Sequence, residues 1–297
     1  MKFLTTPESS FDNLPDYPFS PNYVEVENGM KMHYVDEGSN NKGLVLCLHG
    51  EPSWSYLYRK MIPVFVAAGY RVIAPDLIGF GKSSKPTETS DYTYQKHVDW
   101  IKTFISKLGL IDINLFCQDW GGLIGLRILA EESQLFSRTV AGNTFLPTGE
   151  REASEAFLKW QKFSQTAPVL PVGKIIQNST VAKMSDVEVA AYEAPYPDES
   201  YKAGAKIFPS LVPTSTDDPE SNNNKKAWET LMKLEKPFLT LFFDSDPITK
   251  GGEKALQKLI PGCKGQAHTI IQAGGHFLQE DKGEEIAGLM VKFMETT

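Results

Sequence analysis

The chain has 297 residues, 41% of them hydrophobic, enough for one large α/β domain or for a core carrying an inserted subdomain. Its 30 basic residues are set against 37 acidic ones, a net charge of −7, interspersed and without a basic stripe. That balance speaks against nucleic acid and anionic membranes as partners, and no 18-residue apolar run is present to span a bilayer.

The first residues, MKFLTTPESSFDNLPDYPF, lack the sustained apolar stretch of a signal peptide, so the expected location is the cytoplasm. MKMHYVDEG (30–38) reads as a strand, and GLVLCLHG (43–50) is a continuous apolar run of the kind buried on both faces of a parallel sheet. RVIAPD (71–76) is a third strand, followed by the turn LIGFGKSSKP. GFGKS within that turn resembles a phosphate-binding loop, but the pattern needs glycine where Asp76 stands. A helix is predicted over about 94–108, with Val98, Ile101, Ile105 and Leu108 on one face. INLFCQ (113–118) is another buried strand, and WGGLIGLRILAEE (120–132) is a helix launched directly from it. This alternation predicts an α/β fold with a doubly wound, mostly parallel sheet flanked by helices.

After Thr144 the texture changes. Residues 148–215 carry short helical patterns and proline-rich breaks but no convincing buried strand. Strand and helix return with KPFLTLFFDSD (236–246), QAHTIIQAGGH (266–276) and a helix over about 281–295. The expected organisation is a core of 1–147 and 216–297, interrupted by a helical cap of 148–215 over the carboxyl edge of the sheet, where open α/β sheets bind ligands. Cys47, Cys117 and Cys263 form no CxxC pair and lack histidines at zinc spacing. They read as small core residues, and neither a metal nor an organic cofactor is expected.

The chemistry concentrates at Cys117-Gln118-Asp119-Trp120-Gly121-Gly122, between a buried strand and a helix. This has the form of a nucleophile elbow, whose sharp turn demands small neighbours. Most elbows carry serine; here the position is Asp119. A serine needs a base before it can attack, whereas carboxylates titrate near pH 4 and are ionised at neutrality. At a helix N-terminus the dipole favours the anion further. Such a carboxylate can displace a leaving group from a saturated carbon and form an ester. The alternative is that Asp119 only caps the helix, as aspartate often does.

Two further features weigh against mere capping. AGGHFLQE (273–280) places His276 after the last predicted strand, in the chain order nucleophile, acid, histidine expected of this kind of triad. The acid should follow LTLFF, where Asp244 and Asp246 both qualify; Asp246 lies further into the loop. LHGEPSWSY (48–56) sets a His-Gly turn after an early buried strand, which would offer the backbone N–H of Glu51, with that of Trp120, as an oxyanion hole. The Glu51 side chain reads equally as a solvated loop acid or as a group that positions water. In the cap, Phe157 and Trp160 share a helix face. Trp160 is either packing there or a donor, since an indole N–H can hold an anion without competing as an acceptor.

On these residues the sequence resembles the haloalkane dehalogenases, particularly the subfamily with an Asp–His–Asp triad. The resemblance covers nearly the whole chain, including LPDYPFSPNY, HGEPSWSYLYRKMIP, APDLIGFGKSSKP, CQDWGG, AFLKWQKFSQTAPVLPVGKIIQ, EAPYPDESYKAGAKIFP and GGHFLQE. It implies the α/β-hydrolase fold, Asp119 as nucleophile, His276 as base and Asp246 as its partner. It also implies Trp120 and Trp160 as halide-binding indoles, and Phe157, Tyr196, Pro197, Leu123 and Ile248 around the substrate pocket. In a sister subfamily the acid follows the strand that here ends near Asn143, which cannot ionise. Cys117 stands where glycine is usual, and Tyr196 where phenylalanine is common. The implied partners are a small halogenated alkane, water and product halide, and the expected assembly is a monomer. An epoxide hydrolase with the same triad is the rival reading, with Tyr192, Tyr196 and Tyr201 as candidate acids. A non-catalytic ligand receptor of the same fold would have no need of all three triad residues.

Overall fold

A computed structural model describes all of residues 1–297. Eight strands form one sheet: β1 (Asn22–Glu27), β2 (Met30–Glu37), β3 (Leu44–Leu48), β4 (Arg71–Pro75), β5 (Ile113–Gln118), β6 (Phe136–Gly142), β7 (Phe238–Phe243) and β8 (Thr269–Ile271). Their spatial order is β8-β7-β6-β5-β3-β4-β2-β1. From β4 to β8 all neighbours are parallel, while β2 runs antiparallel to both β1 and β4. The apolar runs of β3, β5 and β7 are buried at every position, as strands covered on both faces must be.

Helices α1 (Ile62–Ala67), α2 (Tyr94–Lys107) and α3 (Trp120–Glu131) follow β3, β4 and β5 in turn. Strand β1 had no sequence signal: its burial is irregular, because it is the outer edge with one partner. The strand expected over 266–276 shrinks to three residues, since β8 is likewise an edge and pairs only with β7.

Between β6 and α8 (Pro219–Leu231) lie four helices: α4 (Glu155–Thr166), α5 (Val172–Asn178), α6 (Asp186–Glu193) and α7 (Ala203–Ile207). Helices α5 and α6 pack closely, and a Cβ on Gly173 would meet the Val189 carbonyl oxygen at 2.2 Å. The chain then returns to the core through α8, which is joined to α3 by Arg127 bonds to Glu220 and Asn224, each 2.9 Å. Helix α9 (Gly252–Leu259) follows β7, and α10 (Leu278–Thr296) closes the chain. No helix is long and apolar enough to cross a membrane.

A buried ionic cluster ties these helices to the core. Arg59 donates to both oxygens of Glu280 at 2.6 and 2.8 Å and to Glu188 of α6 at 2.8 Å. The Tyr192 hydroxyl and Lys60 add bonds to Glu280, each 2.6 Å.

Candidate active site

The turn from β5 into α3 puts Asp119 at φ +50°, ψ −125°, a strained conformation for a side-chain-bearing residue. The packing around it explains the small residues. A Cβ on Gly121 would lie 2.0 Å from the Leu48 carbonyl oxygen, one on Gly122 2.0 Å from Thr144 Oγ1, and one on Gly50 2.4 Å from Asp119 Cβ. The Asp119 side chain makes no capping bond to α3. Instead Oδ1 accepts from the Glu51 backbone N–H at 2.7 Å, and Oδ2 faces His276 Nε2 at 3.4 Å. The carboxylate therefore serves the cavity rather than the helix. Of the two expected oxyanion donors, only the Glu51 N–H bonds the carboxylate in this geometry.

His276 stands on the loop between β8 and α10. Its Nδ1 lies 3.1 Å from Asp246 Oδ2. Asp246 is buried and also accepts from the Ile248 N–H at 2.9 Å and from the Thr249 hydroxyl. Asp244, the other aspartate the sequence offered, only accepts from Ser245 Oγ at 2.9 Å and is far less buried. Burial works against a charge on His276, but the Asp246 and Asp119 carboxylates outweigh it and raise its pKa to about 10. Burial would likewise raise Asp246, yet His276 and the Thr249 and Ile248 donors hold it below the usual carboxylate range.

These groups open onto a cavity of about 1050 Å³ between the sheet and the inserted helices. Glu51, Asp119, Trp120, Leu123, Phe157, Trp160, Ile248 and His276 all line it. The Trp120 indole is clamped by Tyr94 at 5.0 Å and Phe208 at 4.6 Å between ring centroids, and its N–H has no protein acceptor. The Trp160 N–H lies against the Glu51 carboxyl without a well-formed bond, and Glu51 Oε1 is buried without a partner. Burial first, and the Asp119 charge second, push the Glu51 carboxyl well above its ordinary pKa.

Tyr196 and Pro197 are a correction to the expected pocket. They border a separate shallow depression with Val169 and Glu193. The turn after α6 directs the Tyr196 ring between the amines of Lys85 and Lys202, 6.0 and 5.9 Å from its centroid. The other candidate tyrosines are no nearer the chemistry. Tyr192 donates to Glu280, and neither it nor Tyr201 lines the cavity.

Two residues beside His276 make contacts that their places in the sequence did not announce. Asn143, at φ +39°, donates to the Gly275 and His276 carbonyl oxygens at 2.9 and 3.0 Å and accepts from the Phe243 N–H at 2.9 Å. Gln118 lies against the His276 ring itself. Both contacts join residues far apart in the chain, so no local pattern announces them.

A carboxylate on a strained strand-to-helix turn beside a His–Asp pair, beneath inserted helices, is an arrangement that fits the α/β-hydrolase fold. A family model described as alpha/beta hydrolase fold matches residues 43–283. The haloalkane dehalogenase of Psychrobacter cryohalolentis is 58% identical over 99% of this chain and 98% of its own length. That of Mycolicibacterium paratuberculosis is 49% identical over 99% of each chain. The tetrameric haloalkane dehalogenase DpaA from Paraglaciecola agarilytica superposes with a TM-score of 0.91 at 39% identity, covering 97% of each chain. The chain belongs to the haloalkane dehalogenases, enzymes that hydrolyse carbon–halogen bonds.

Proposed function

We propose that Asp119 is the nucleophile of this dehalogenation, with His276 as base and Asp246 as its partner. One observation carries the assignment: the Asp119 carboxylate is free of capping, is bonded on one oxygen by the Glu51 N–H and faces His276 with the other. Asp119 attacks the halogen-bearing carbon of a small haloalkane, and the carbon–halogen bond breaks with its electron pair leaving on the halide. The Trp120 and Trp160 N–H groups receive that developing charge. Esterified Asp119 is neutral, so His276 loses one of the two anions that raise its pKa. It can then take a proton from water, which attacks the ester carbonyl. The Glu51 N–H, already bonded to Oδ1, stabilises the oxyanion formed on that atom. Alcohol, halide and a proton are the products. Residues 148–215 act as the cap, and every assigned site residue comes from a single chain.

An epoxide hydrolase would need an acid to protonate the ring oxygen, and the candidate tyrosines lie outside the cavity. The test uses His276→Phe, because a pre-ionised carboxylate can be alkylated without the histidine, whereas hydrolysis cannot proceed without a base. Mixed with 1,2-dibromoethane, the variant should release at most about one bromide per active site and gain the mass of a bromoethyl group. Peptide mapping should locate the adduct on Asp119. An adduct on another carboxylate, or steady turnover, would overturn the assignment.

A further inference from the structure

Gln118 ends β5 immediately before the nucleophile, and its side chain is completely buried. Its amide nitrogen lies 3.2 Å from His276 Nε2 and 3.3 Å from the His276 carbonyl oxygen. The carbonyl can only accept, so the NH₂ end must face it; the reversed amide would oppose two oxygens. An NH₂ group facing Nε2 bonds it only when that nitrogen carries a lone pair, in the neutral ring with its proton on Nδ1 towards Asp246; while Asp119 is an anion the charged ring is favoured instead. At the other end of the amide, Oε1 is buried with no partner. An empty buried acceptor is costly and calls for a functional reason.

We infer that Gln118 is a positioning residue for ester hydrolysis, donating to His276 Nε2 so that the imidazole is neutral, correctly oriented and ready to take a proton from water. The inference rests on the proposed role of His276 as base. The charged or titratable groups facing the ring are Asp119 from the elbow, Asp246 from the loop after β7 and Glu51 from the loop after β3. From the cap, Ser179 presents only a carbonyl oxygen, which accepts the His276 backbone N–H at 2.7 Å. Asn143 likewise holds only the backbone of this residue. All the ionisable neighbours are acidic. Once Asp119 is esterified, Asp246 still draws a proton onto the ring, and Gln118 is the neighbour whose N–H dipole opposes protonation at Nε2.

The test is the pH dependence of ester breakdown. Wild type, Gln118→Leu and the nearly isosteric Gln118→Glu are mixed with 1,2-dibromoethane. Ester on Asp119 is then followed in time by quenched-flow mass spectrometry between pH 5 and 10. Hydrolysis requires neutral His276, so its rate falls on the acid side. Removing the donor in Gln118→Leu should move that midpoint up by roughly half to one pH unit, the effect of one neutral hydrogen bond. Gln118→Glu sets a carboxylate beside Nε2 and should move it up further, by about one to two units. A merely structural role would slow the reaction at every pH and leave the midpoint in place. If Gln118→Leu fails to fold, Gln118→Met, which keeps the chain length and removes the donor, decides in its place. Ester on Asp119 with an unmoved or lowered midpoint overturns the role of Gln118 and leaves the proposed chemistry standing. Absence of ester on Asp119 in the wild type and both variants overturns both.

Discussion

Holding Asp119 at φ +50° costs on the order of 1–3 kcal/mol, and the surrounding packing must impose it. That requirement is why the elbow could be read from sequence: its neighbours have to be small, and Gly121 and Gly122 announce it. Asp246 was only half legible, because two aspartates follow the same strand and only the folded loop turns one of them to His276. Tyr196 was misread, since a cap residue can face either side of its turn and the sequence does not say which. Trp160 presents a finer question. Its N–H lies near the Glu51 carboxyl without bonding it, so the donor is left to another acceptor. Replacing Trp160 with phenylalanine keeps most of the ring but removes the N–H. Bromide release from 1,2-dibromoethane should fall by roughly 10²-fold, the scale of one lost charge-stabilising donor. Unchanged turnover in a folded variant would make Trp160 a packing residue.

Among the elements, those covered on both faces were the legible ones. Strands β3, β5 and β7 are fully buried and carry unbroken apolar runs, whereas β1 and β8, at the two edges, carry weak signals. What fastens the inserted helices to the core was not legible, because Arg59, the α6 pair Glu188 and Tyr192, and Glu280 come from three separate stretches. Glu280 lies four residues after His276, so the cluster also braces the start of the helix that follows it. Arg59 and Glu280 are almost wholly buried, at 2% and 1% exposure. Glu280→Gln leaves the guanidinium buried with its main counter-charge gone. Breaking a buried pair from one side typically costs about 3 kcal/mol, so the melting temperature should drop by several degrees. A melting temperature within one degree of wild type, by calorimetry at pH 7, would show that the cluster contributes nothing net.

For the whole molecule, the buried charges fix how stability follows pH. Burial would raise Asp76, but His33 at 2.8 Å, together with His49 and the Lys82 N–H, brings it down to about 2. Glu280 is likewise brought to about 2 by Arg59, Lys60 and Tyr192 against the effect of burial, and Asp246 is depressed by His276. In the unfolded chain these carboxyls titrate near 4. A depressed native pKa means the unfolded state binds the proton more readily. Their contribution is therefore complete above about pH 4 to 5 and is lost as pH falls towards 2. His276 has the opposite sign: raised to about 10, it stabilises fully below about pH 6.5 and ever less as pH climbs to 10. Lys85, buried and lowered to about 7 chiefly by desolvation, opposes that loss, because from about pH 7 to 10 the unfolded chain holds a proton the native state has shed. The alkaline side should therefore be shallow and the acid side steep. Scanning calorimetry between pH 2.5 and 9 should show a melting temperature that changes little from pH 5 to 9 and collapses below pH 4. In Asp76→Asn, which removes one depressed carboxyl, the acid decline should be less steep and start from a lower plateau. A melting temperature at pH 3 equal to that at pH 6 would mean that these carboxylates do not hold the native state together.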